Sequence, residues 1–102
     1  MSKPFYEDYA THAMRFYSRN PAIKMNDPGL KLADVENWHA CEDALRNFSE
    51  LDRTILIEVF RCKCAIDDAV SCISAQFDVK PNTVWQLMNN FSNVFAKYRG
   101  LL

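Results

Sequence analysis

The chain is predicted to be all-α, a five-helix orthogonal bundle folded as a single domain. Three observations predict it. Apolar residues recur at spacings of three and four in each long segment, the period of a helix with one buried face. Only two glycines and four prolines occur in 102 residues, so breakers are confined to a few connections. Apolar residues make up 49% of the chain, enough for one core at this length and too many for a disordered segment.

Residues 1–19 are predicted to form an N-terminal helix. Pro4 suits a first helical position, because the N–H it lacks would have had no partner there. Phe5, Tyr9, Ala13, Phe16 and Tyr17 form its apolar stripe, and Asn20-Pro21 stops it. Residues 20–33, with Pro21, Pro28 and Gly29, read as a loop. So long a connection marks the first helix as an appendage docked on residues 34–102.

Asp34 is expected to cap a second helix running through Phe48, with Val35, Trp38, Cys41, Leu45 and Phe48 facing inward. Ser49 and Asp52 make a capping signal for a third helix from Glu50 to about Cys62, burying Leu51, Ile55, Leu56, Val59 and Phe60. Lys63 to Ile66 connects to a fourth helix, about Asp67 to Phe77. A fifth starts at Pro81 and reaches about Tyr98, with Val84, Leu87, Met88, Phe91, Val94, Phe95 and Tyr98 on its apolar side.

The stretch 66–98 carries the functional reading. Ile73 and Phe77 are apolar, and Ser74 is small where two helices must approach. Asp78-Val79-Lys80 is a short turn with an apolar centre, and Val84 and Leu87 point back to the core. Two helices joined by so short a turn read as a helix-turn-helix.

Here the chain resembles the C-terminal (region 4) domain of bacterial sigma factors over about residues 35–99. Phe48-Ser49-Glu50-Leu51-Asp52-Arg53-Thr54-Ile55-Leu56 is similar to the helix before that family's motif. Ile73-Ser74, Phe77-Asp78-Val79 and Thr83-Val84 are similar to the motif itself. With its Met14-Arg15-Phe16-Tyr17 and Lys97-Tyr98-Arg99-Gly100-Leu101-Leu102 segments, the chain also resembles short regulator-like proteins of Firmicutes and their mobile elements. The resemblance implies a cytoplasmic transcription regulator whose groove-facing positions are Lys80, Pro81, Asn82, Trp85, Gln86 and Asn89. Of these, Lys80, Asn82, Trp85, Gln86 and Asn89 are the expected DNA- or partner-binding residues.

Two features depart from that family. Asp78 stands where glycine is usual, a minor change because Asp tolerates the left-handed region. More seriously, Lys80 is the one charged residue among the groove-facing positions. By segment, residues 1–35 carry five basic and four acidic side chains, residues 36–65 four and six, and residues 66–102 three and three. Phosphate neutralisation needs cations. DNA binding is therefore expected to be weak or to depend on a partner: RNA polymerase, a sigma factor or a second copy. The alternative is a protein–protein interaction module that keeps the fold without binding DNA. Trp85 is expected to be covered by the first helix, to anchor a partner, or to serve DNA.

No enzyme, cofactor or metal is expected. Cys62-x-Cys64 lacks the spacing of a structural zinc site. Cys41 and Cys72 fall on apolar faces, as core or surface thiols do. His12 and His39 have no carboxylate at catalytic spacing. Glu42, Asp43, Glu50, Asp52 and Glu58 read as a solvated face. No apolar run approaches membrane-spanning length.

Overall fold

A computed structural model describes residues 7–19, 29 and 31–101. The described residues form five helices in order, α1 (Glu7–Arg19), α2 (Leu32–Leu45), α3 (Glu50–Arg61), α4 (Ile66–Phe77) and α5 (Pro81–Arg99), and no strand. The expected start of the first helix at Pro4, its Phe5, and most of the expected loop lie outside the described residues.

α5 is the central element. α2, α3, α4 and α1 all pack on it, and its Val84, Phe91 and Phe95 are fully buried. Phe91 stacks on Phe95 at 6.1 Å between ring centroids and meets Phe60 of α3 at 6.1 Å. Phe48, in the α2–α3 connection, reaches it at 6.4 Å. The radius of gyration, 13.4 Å, is that of a compact domain of this length.

α1 buries Ala13 of the expected stripe, but its buried face is turned from the rest of that stripe. Ala10, Ala13, Met14 and Ser18 are inside, while Tyr9 is 39% exposed and Phe16 and Tyr17 are half-buried. Small residues let α1 approach α2, α3 and α5 closely, and the aromatics then lie along its flanks. Tyr17 packs on Trp38 of α2 at 5.0 Å between ring centroids. The Tyr9 hydroxyl donates to Asn37 Oδ1 at 3.1 Å. Arg99 Nε donates to the same oxygen at 2.6 Å, and its guanidinium pairs with Glu36 at 3.2 Å. α1, α2 and α5 are thus tied by one polar network, so the first helix is built into the core.

Element ends show what sequence signals misplace. α2 begins at Leu32, two residues before Asp34. Its flanking residue is Lys31, whose side chain makes no capping bond. The Asp34 and Val35 N–H groups donate to the Lys31 carbonyl. Asp34 lies in the first turn, where its charge opposes the positive helix end rather than capping it. α2 also stops at Leu45, before Phe48. Asn47 Nδ2 donates to the Asp43 and Ala44 carbonyls, a local bond that competes with continued helix.

The α3 start follows its signal: the Asp52 N–H donates to Ser49 Oγ at 3.2 Å. Leu51, expected inside, is 56% exposed in the first turn, ahead of the buried Ile55, Leu56, Val59 and Phe60. α4 starts at Ile66, one residue early, and buries Ala69, Val70, Ile73 and Ser74. Cys72 lies off that face and is exposed, unlike the buried Cys41. Tyr98 is 53% exposed, its hydroxyl accepting a bond from Asn47. No helix among the described residues is long and apolar enough to cross a membrane.

Candidate functional site

Local chemistry fixes how α5 leaves α4. α4 closes on Asp78, which adopts φ 54°, ψ 48°, the left-handed conformation. Its N–H donates to the Ala75 carbonyl and that of Val79 to the Ser74 carbonyl, so two carbonyls of the last turn are satisfied. Val79 packs half-buried against the core and anchors the turn. Lys80 is extended, and Pro81 opens α5. The Thr83 N–H donates to the Lys80 carbonyl at 2.9 Å. No acidic side chain occupies the first turn of α5, so its positive end is not offset there.

From that start, Asn82, Gln86 and Asn89 fall at helical spacing along one exposed side, opposite the buried Val84, Leu87, Met88 and Phe91. Lys80 is exposed at its head. Asn93 continues the row, and Asn90 flanks it. Neither was among the expected site residues, although their spacing from Asn82 and Gln86 places them there. Residues 81–96 carry no charged side chain. The row offers paired amide donors and acceptors without electrostatic attraction for a polyanion.

Trp85 borders the row, three residues after Asn82 and four before Asn89. It is half-buried and packed against the core. The indole therefore forms a shoulder beside the row, its inner side serving α5 packing.

The thiols gather elsewhere. Burial is the main influence raising the Cys62 thiol pKa, followed by the neighbouring Cys64, which also shares a hydrogen bond with it. Cys41, fully enclosed, is raised much further by burial alone. Among the described residues, no three His, Cys, Asp or Glu side chains converge to hold a metal ion.

Compared with protein-family models, with curated proteins and with solved structures, the chain matches none of them.

Proposed function

We propose that α4, the Asp78–Lys80 turn and α5 act as a helix-turn-helix within an orthogonal bundle, and that the chain is a cytoplasmic transcription regulator of the sigma region 4 kind. The observation that carries this reading is the short left-handed turn, which sets Lys80 at the head of an exposed row of Asn82, Gln86 and Asn89 on the helix that follows it. Asn and Gln amides suit adenine edges in a major groove. With Lys80 and few other phosphate partners near the row, affinity is low, and RNA polymerase, a sigma factor or a second copy supplies the rest. Trp85 supports the row rather than contacting DNA itself.

A second reading is favoured by the absence of charge over residues 81–96. In it, the same row meets a protein surface and no DNA is bound. One experiment separates the two. The pure protein is titrated against its own upstream DNA at low salt in a gel shift, with light scattering on the same sample. The first reading expects a shift whose log–log salt dependence has a slope of about −3, for roughly three phosphate contacts. Association without any shift supports the second.

A further inference from the structure

The fold assembles a basic cleft from segments that are distant in the chain. Ser18 and Arg19 end α1, Arg61 ends α3, and Lys63 follows in the α3–α4 connection. Together they line an open cleft of about 430 Å³. Among the described residues, no acidic side chain lines it. Two of its cations are held in place by the opposite helix. Arg19 donates to the Cys62 carbonyl and Arg61 Nε to the Ser18 carbonyl, each at 3.4 Å. Arg61 also pairs with Glu58 at 3.0 Å. Lys63 is exposed and makes no ion pair or side-chain hydrogen bond among the described residues. One turn before Arg19 on the same side of α1, Arg15 has a buried Nε with no hydrogen-bond partner among the described residues. The Ser18 hydroxyl is likewise buried and unpartnered.

The charge sum favours an anion. Two helix C-termini contribute about half a negative charge each, and Glu58 adds one more. Arg19, Arg61 and Lys63 outweigh that total. The arginines are already oriented by their bonds to carbonyls, so little side-chain freedom is lost when a ligand arrives. Guanidinium and ammonium donors together match the oxygens of a phosphate group.

We propose that this cleft is a binding site for a phosphate group. The phosphate is either that of a free polyphosphate or one on a nucleic-acid backbone. The proposal does not depend on the reading given for the amide row of α5.

The test is a titration of isotope-labelled full-length protein, followed by amide NMR shifts. Sodium pyrophosphate is the probe in one arm and a 20-base-pair duplex in the other. Saturable shifts at Ser18, Arg19, Arg61 and Lys63 are expected in at least one arm. Lys63→Glu should weaken that binding about tenfold. Lys63→Gln serves as a second variant, and a thermal melt confirms that each variant folds. Saturation by pyrophosphate identifies a free-phosphate site. Saturation by the duplex alone identifies a backbone contact. Shifts absent from the cleft in both arms, or equal affinity in wild type and both Lys63 variants, would overturn the proposal. Failure of the α5 reading shows separately, as duplex shifts confined to the cleft with none at Asn82, Gln86 or Asn89.

Discussion

Replacing Phe91 by alanine tests whether α5 is the central element. The Phe91 ring is fully enclosed and meets three other rings, those of Phe48, Phe60 and Phe95, at 6.4, 6.1 and 6.1 Å. Those partners come from the α2–α3 connection, from α3 and from α5 itself, so the cavity would open where several elements converge. Truncating a fully buried Phe costs about 3–5 kcal/mol, against a total stability of about 5–15 kcal/mol for a domain. At about 4–8 °C per kcal/mol for this size, the midpoint should fall by at least about 12 °C. Phe91→Leu keeps much of the volume and should lose roughly 1–1.5 kcal/mol. Urea and thermal unfolding followed by circular dichroism would measure both. The urea slope should stay unchanged if the native fold survives. A loss under about 1 kcal/mol for Phe91→Ala, with that slope intact, would show that these rings do not form the core.

Three further outcomes are expected. Trp85→Ala should cost about 2 kcal/mol, less than a fully buried aromatic, and should leave light scattering and the gel shift changed only as far as stability explains; selective loss of association would instead make the indole an anchor. Asp78→Ala should destabilise by about 1 kcal/mol, because Cβ crowds the left-handed conformation without a polar side chain to help, while Asp78→Gly should match or exceed wild type in the same melts. Burial keeps Cys41 protonated in the folded chain well above its ordinary titration, so unfolding releases a proton at alkaline pH. Its contribution is complete below about pH 8.5 and is lost above that by about 1.4 kcal/mol per pH unit; Cys41→Ala should show a shallower alkaline decline, and equal slopes would contradict the burial.

Much of the architecture was legible because periodicity and capping chemistry are local. Ser49 with Asp52, Pro81, and the stripe from Val84 to Phe95 each place an element in the sequence where the structure has it. The Asp78 turn was legible for the same reason, since few residues tolerate its conformation. What failed depended on neighbours. The aromatics of the first helix outweighed Ala10 and Met14 in apolar size. Which face goes inward, however, is set by how closely α2, α3 and α5 approach. Asp34 looked like a cap because an acid in the first turn and an acid before it leave similar sequence signatures. In the candidate site, Asn82, Gln86 and Asn89 share one exposed side of α5 as their spacing required, with Lys80 exposed just before the helix. Trp85 does not join them, because its burial is decided by the bundle around α5.

Charge shows the same division between local and assembled properties. Counted by segment, the chain offers nothing to a polyanion, because each window nearly cancels. Folding sorts the charges differently. The Tyr9–Asn37–Arg99–Glu36 network and the Arg61–Ser18 bond fix α1 at both of its ends. The α1 C-terminus thereby lies against the α3 C-terminus, and Arg19 joins Arg61 and Lys63. α4 separates this cluster from Lys80 along the chain, and a 12-residue helix spans about 18 Å. The cations therefore lie at the start of α4 and Lys80 at its end, where the uncharged α5 surface begins. A ligand using both must be an extended one, whereas a compact anion can use only the first. Net charge alone therefore does not exclude an anionic ligand, because folding gathers Arg19, Arg61 and Lys63 from segments whose charges nearly cancel.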